Sequence, residues 1–380
     1  MTRSGPARAV DGALALAAAM GIGRFAYTAL LPPTQRALEA GDGVAGLLAS
    51  LNLAGYLAGV LWARQLAASP RRSAALRAGL GVTVLATALG ALTTSVAAWA
   101  ALRLAAGVAS GLTFVLASAI AIEAAAPAAG LLYGGVGLGM ALSGAVAALV
   151  PERLGFGLPW LALGGAAALL GAPAWFRLAP VPPPPLRAGA PSASHPGMGF
   201  ARLAAAYFLE GLGYIVSGTF AVAAVRRTPG LEALAPWTWV LTGVAAAPSA
   251  LVWSGLGRRL GVRRALALAH LVQAAGMALP AASRTPAAAL AGAGLFGATF
   301  VGIVTLAMLA GRALAPASPG RVVGTLTAVY GVGQMLGPLL AGALAERLGD
   351  PRPAVLAAAG VVAAGGLLVA PGPRRASRAP

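Results

Sequence analysis

Gly21-Ile22-Gly23-Arg24-Phe25-Ala26-Tyr27-Thr28 lies inside an apolar run from about Val10 to Leu31. At about 1.5 Å of rise per residue, that run can cross a bilayer as a helix. A guanidinium inside it costs roughly 2.5 kcal/mol or more, so it needs a partner, a water-filled cavity or an anionic ligand. The stretch therefore reads as a membrane span carrying a functional cation. The rest of the chain has the same texture. Of 380 residues, 59% are hydrophobic and 9% charged, against about 25% charged in soluble domains. A chain this long with a mean hydropathy of +0.82 crosses the membrane many times.

All 27 basic residues are arginine, set against nine acidic ones, for a formal charge of +18. The arginines are spread over short loops rather than gathered into a patch, which argues against nucleic-acid binding. The chain has no cysteine, which excludes disulfides, thiol catalysis and zinc-thiolate sites. Arg3 and Arg8 before an Ala/Leu-rich run resemble a signal peptide. The run continues past Gly23 and further spans follow, so an uncleaved first span is expected.

Arg, Pro and Gly punctuation delimits twelve apolar segments, approximately 10–31, 43–63, 75–95, 97–122, 129–150, 158–178, 200–225, 236–256, 264–283, 286–311, 322–345 and 353–371. Val181-Pro182-Pro183-Pro184-Pro185 opens a Pro/Ser/Gly-rich linker, residues 179–199, that cannot form a packed helix. It divides the chain into two six-span bundles, 1–178 and 200–371, with a short tail at 372–380. With the N-terminus in the cytoplasm, eighteen arginines fall on the inner side and seven on the outer. That bias places linker, tail and both termini inside.

The halves repeat. Gly21-Ile22-Gly23 matches Gly211-Leu212-Gly213. Gly111-Leu112-Thr113-Phe114-Val115 matches Gly297-Ala298-Thr299-Phe300-Val301, and Tyr133-Gly134-Gly135-Val136-Gly137 matches Tyr330-Gly331-Val332-Gly333. The offsets are 190, 186 and 197. Matching spans run in the same direction, so the repeats are parallel, as in the two halves of a major facilitator transporter.

The stretch Gly21 to Thr28 followed by Leu31-Pro32 resembles the opening of the YbfB/YjiJ family of the major facilitator superfamily (MFS). Tyr207-Phe208-Leu209-Glu210-Gly211-Leu212-Gly213-Tyr214-Ile215 with Thr219-Phe220, and Gly297 to Ile303, resemble the same family. The resemblance covers both halves and implies an all-α bacterial inner-membrane transporter with twelve transmembrane helices. It implies that spans one, four, seven and ten line a central cavity, and it names no substrate. Leu102-Arg103-Leu104-Ala105-Ala106-Gly107 matches the superfamily's Arg-x-x-x-Gly pattern, which resembles a site linked to proton coupling. The loop after span two has Ala63 where the superfamily carries an acid.

Arg24, Arg103 and Glu210 are charges within spans, on three of the four cavity spans. Arg24 and Arg103 lie roughly 10 and 9 Å from the outer end, and Glu210 roughly 15 Å from the inner end. The arginines thus share a level, and Glu210 is expected to face them from the other half. Arg24 and Arg103 read as an anion clamp, since guanidinium suits a carboxylate. Equally, each could tie helices together through backbone carbonyls or Glu210. Glu210, with Arg103, reads as the proton-coupling site; the alternative is a static ion pair. Tyr27, Thr113, Tyr214, Thr299 and Gln334 are candidate polar contacts to substrate, or else interhelical hydrogen bonds. Asp11 is expected to favour a helix N-terminus. Glu123 is expected to be interfacial, and His270 to serve packing.

The chain thus reads as a secondary transporter of a small organic solute, anionic in candidate class, proton-coupled and working by alternating access. It is expected to act as a monomer in the lipid bilayer, with no cofactor, no metal and no nucleic-acid partner. No Walker sequence offers direct ATP drive. The alternatives are a transport-inactive membrane sensor or regulator on the same scaffold, and an intramembrane enzyme. The tails are too short for a signalling domain, and the spans hold no catalytic constellation, so the chain is not expected to be an enzyme.

Overall fold

The computed structural model describes residues 5–67, 69–124, 129–178, 198–314 and 319–371. The linker segment 179–197, the tail 372–380 and the side chain of Glu123 lie outside the described residues. The described residues form helices and turns without strands. The first span comprises α1 (Gly5–Leu16), a π-helical segment (Ala17–Ile22), α2 (Ala26–Ala29) and α3 (Leu31–Ala37). The remainder of the first half is α4 (Asp42–Leu66), α5 (Arg72–Leu89), α6 (Val96–Ala124), α7 (Ala129–Leu149) and α8 (Gly157–Pro173). The second half is α9 (Met198–Arg226), α10 (Ala235–Leu260), α11 (Val262–Ala282), α12 (Pro286–Leu314), α13 (Pro319–Leu348) and α14 (Arg352–Val369). The helix of α9 begins at Met198, two residues earlier than the span expected from 200.

Among the described residues, eleven helical segments are long and apolar enough to cross a membrane, α4 to α14 with α5 continued to Leu92 and α8 to Leu178. The first span departs from expectation, since it is not one continuous helix over 10–31. Its ladder widens where Gly23 N–H bonds Ala18 O at 2.9 Å and Phe25 N–H bonds Met20 O at 3.2 Å. It breaks over Gly23–Phe25 and again at Leu30, before the Pro32-Pro33 start of α3. Gly21 and Gly23 fit no helical preference, and a broken helix survives at membrane depth only where protein satisfies the freed groups. Asp11 differs too. It does not cap a helix but takes a bidentate pair from Arg177, at 2.7 and 3.2 Å.

Small residues set the close packing. Gly55 and Gly59 of α4 interlock with Gly107 and Gly111 of α6, where any Cβ would meet backbone. Gly21 packs on Gly139, and its repeat counterpart Gly211 packs on Gly333. Between the halves, α4 meets α13 at Gly46 and Gly342, and α7 meets α10 at Gly137 and Gly243.

The duplication has a more regular register than the sequence matches suggest. Helices α6 and α12 are both 29 residues and start 190 apart. Asn52 Nδ2 donates to Arg103 O at 2.9 Å, and 190 residues on, Thr242 Oγ1 donates to Ala293 O at 3.3 Å. The offset of 186 inferred for this helix pair is therefore one turn short. Gly297 corresponds to Gly107, and Arg103 to Ala293. The slip arises because Thr113-Phe114-Val115 and Thr299-Phe300-Val301 coincide one turn away from the packed register.

Candidate functional site

Arg24 sits in the break of the first span, 5% exposed. Its Nη2 donates to Tyr214 Oη at 3.0 Å. Four residues on, Thr28 Oγ1 donates to Gly218 O. Both bonds join residues 190 apart, the repeat offset. Equivalent positions of two repeats can touch only near the axis that relates them, so Arg24 lies on the pseudo-two-fold axis between the halves. Tyr214 Oη also accepts from Gln334 Nε2 of α13. The Arg24 guanidinium lies 4.9 Å from the Phe25 ring centroid and 4.6 Å from that of Tyr56, within cation–π range. Its Nε has no hydrogen-bond partner. Among the described residues no carboxylate lies in ion-pair range of Arg24 or Arg103.

Arg103, equally buried, spends its fork differently. Its Nη1 and Nη2 donate to Gly23 O and Arg24 O, both at 3.3 Å, the carbonyls released by the helix break. Its guanidinium also lies 4.6 Å from the Tyr27 ring centroid. Tyr27 Oη in turn donates to Ala45 O at 3.2 Å. Arg24 and Arg103 do share a level, but Arg103 holds the backbone on which Arg24 stands.

Glu210 does not face the arginines, which corrects the expected arrangement. Its carboxylate points within the second half. Oε1 accepts from Gln273 Nε2 at 2.6 Å, and Oε2 lies 3.8 Å from His270 Nε2. Neither of the last two atoms has a hydrogen-bond partner, while His270 Nδ1 is 2.8 Å from Leu266 O. Thr299 Oγ1 joins this cluster through Gln273 Oε1 at 3.1 Å. Thr113 belongs to neither group. It is buried with an unpartnered hydroxyl beside Gly79 of α5. The sequence thus nominated two sites as one. Tyr27, Arg103, Tyr214 and Gln334 gather round Arg24, whereas Thr299 goes with Glu210.

Sequence reasoning missed Phe25, Tyr56, Phe300 and Tyr330 at the axis, and Gln273 beside Glu210. Tyr330 stacks on Tyr207 at 4.3 Å and lies parallel to Tyr214 at 5.5 Å. Phe300 stacks on Tyr214 at 5.3 Å and meets Phe25 edge-on at 5.6 Å. The available signals were that Tyr330 opens one repeated string, that Phe300 lies within another, and that Phe25 follows Arg24 in the opening motif.

At the end of the bundle carrying α3, charged groups join the halves. Glu152 bridges Arg36 at 2.7 Å and Arg226 at 2.6 Å. Asp42, fixed by Gln35 at 2.8 Å, takes both Arg227 amino groups at 2.7 Å. Glu346 accepts from Gly43 N. The Asp42 hydrogen bond outweighs partial burial and holds the Arg227 guanidinium above its ordinary pKa. For Asp350, burial raises the carboxyl, but hydrogen bonds from Arg352 outweigh it and leave it below the usual carboxylate range.

A family described as the uncharacterised MFS-type transporter YbfB matches residues 16–370. The chain belongs to this family. Among solved structures, a mutant of the nucleoside transporter NupG is similar at 13% identity, with TM-score 0.77, over 94% of this chain and 98% of that one. A bacterial homolog of the human lysosomal transporter Spinster, inward-facing and unoccupied, follows at 15% identity and TM-score 0.69, over 97% and 95%. The human organic anion transporter MFSD10 (TETRAN) matches at 20% identity and TM-score 0.65, over 96% and 99%. At these identities the likeness shows the MFS fold alone. No curated protein matches the chain.

Proposed function

We propose that this MFS-family chain is a secondary active transporter of a small organic anion, proton-coupled and working by alternating access in a bacterial inner membrane. Both termini are cytoplasmic in this reading, and the α3 end faces the periplasm. Rocking the first half, 1–178, against the second, 200–371, would expose the axis to one side and then the other. The observation that carries this reading is Arg24, a buried cation on the pseudo-two-fold axis with a free Nε and no acidic partner. A guanidinium so placed is stabilised by an anion that enters the axis. Arg103, Tyr27, Tyr214 and Gln334 position it. Glu210 serves as the proton site, supported by its buried, unpartnered Oε2 opposite His270 Nε2, where one proton can be shared. Coupling then runs through α9, which carries Glu210 and, one turn further along the same helix, Tyr214.

Flux into proteoliposomes with a panel of organic anions, with and without an imposed pH gradient, tests this. The pH gradient is expected to drive accumulation. Arg24→Ala should abolish uptake while eluting and melting as a folded protein, and Glu210→Gln should equilibrate substrate without accumulating it. Full uptake by Arg24→Ala rejects the anion site, and uphill uptake by Glu210→Gln rejects the proton site.

A further inference from the structure

We infer that the Arg24 site takes a monoanion with a planar aromatic body, an aromatic monocarboxylate in chemical class, an inference that rests on the anion-site reading above. Charge sets the first half of it. Arg103 commits both terminal nitrogens to Gly23 O and Arg24 O. Glu210 is turned away toward Gln273 and His270. Arg24 is then the one guanidinium at the axis not committed to backbone, and it balances one negative charge. A dianion would leave a charge without a partner in a low-dielectric layer.

The surroundings set the second half. The chain has six tyrosines. Four of them, Tyr56, Tyr207, Tyr214 and Tyr330, lie in the aromatic cluster round Arg24 together with Phe25 and Phe300. Tyr214 is the hinge of the cluster, bonded to Arg24 at its hydroxyl and stacked through its ring. The rings come from both halves. Phe25 and Tyr56 stand on the first, and Tyr214, Phe300 and Tyr330 on the second. Rocking the halves apart would part the Phe25–Phe300 edge contact and expose ring faces on the second half beside the guanidinium. A flat π-system entering there recovers stacking and edge contacts in place of the parted ones. A saturated body of the same size recovers apolar contact only.

Isothermal titration of the full-length protein in lipid nanodiscs, with matched probes, decides this. The probes are benzoate and 1-naphthoate, their saturated analogues cyclohexanecarboxylate and decahydronaphthalene-carboxylate, the neutral benzamide, and the dianion phthalate. The aromatic monocarboxylates are expected to bind about fivefold or more tighter than their saturated analogues, and tighter than the amide or the dianion. Phe300→Leu is expected to bring the aromatic acids down to the level of the saturated ones. Tyr330→Leu is the second variant should that protein not fold. Equal affinity for aromatic and saturated acids overturns the aromatic assignment and leaves the Arg24 anion site standing. Benzamide binding as well as benzoate overturns the anion site itself, and binding of no acid overturns both.

Discussion

Arg24 and Arg103 carry the same charge, lie at the same level and are buried alike, yet they do different things. The difference comes from the backbone between them. The break at Gly23–Phe25 frees two carbonyls, and a guanidinium fork can satisfy both at once. Arg103 therefore holds the backbone, whereas Arg24 keeps an unpartnered Nε, which the proposed function assigns to an anion. Arg103→Met should strand two buried acceptors, at about 1–3 kcal/mol each. The expected result is a clearly lower Tm in detergent together with lost uptake, whereas Arg24→Gln should lose uptake at near-normal Tm. Equal melting of the two variants would show that the arginines do not divide the work this way. The sequence placed both arginines in apolar spans. It could not divide their roles, because the helix break that creates the carbonyl acceptors is a tertiary outcome.

Among elements, packing distances decide which glycines matter. A Cβ on Gly297 would press on the backbone of Thr242, and one on Gly107 would press on Asn52. Gly360 in α14 meets nothing within 4 Å. Gly107→Ala and Gly297→Ala are each expected to destabilise by about 1–3 kcal/mol through overpacking. Gly360→Ala should be neutral, or should stabilise by about 0.5–1 kcal/mol through its helix preference. Thermal melts of the three variants check this, and equal melting temperatures would refute the paired helix contacts. Hydropathy placed eleven of the helices to within a few residues of their observed ends. It missed the interruption of the first span, because Gly, Ala and Ile are as apolar in a π-turn as in an α-helix. It also misjudged the α6–α12 register by one turn, because the shared Gly-x-Thr-Phe-Val string lies one turn out of the register in which the helices pack.

For the whole molecule, the α3 end is held shut by pairs that cross between the halves, Glu152–Arg226 and Asp42–Arg227. The exposed Glu152–Arg226 pair is worth about 1 kcal/mol or less, and the bidentate Asp42–Arg227 pair, with Asp42 6% exposed, is the stronger of the two. The latch is therefore weak enough to open in a transport cycle. Removing both, as in Arg226→Ala/Arg227→Ala, should raise the share of molecules open at that end by about fivefold or more. The chain has no cysteine, so spin labels at Glu39→Cys and Glu232→Cys report the separation directly. A longer-distance population should appear in the double variant and grow with salt in the parent. An unchanged distribution would show that the pairs do not latch the halves.

The sequence by itself determined that the chain is an all-helical membrane protein built from two parallel repeats, with a cation at a fixed depth in its first span. Those properties follow from hydropathy summed over about twenty residues and from strings repeated at a near-constant offset, and neither needs a long-range contact. Only the tertiary structure decided that Arg24 meets Tyr214 on the axis, that Arg103 serves the backbone, and that Glu210 turns to Gln273 and His270 instead of the arginines. The physical reason is rotation about the helix axis. A span's composition fixes its depth, but which way a side chain faces depends on the neighbours packed against it. Here, small-residue contacts and one broken helix set those rotations.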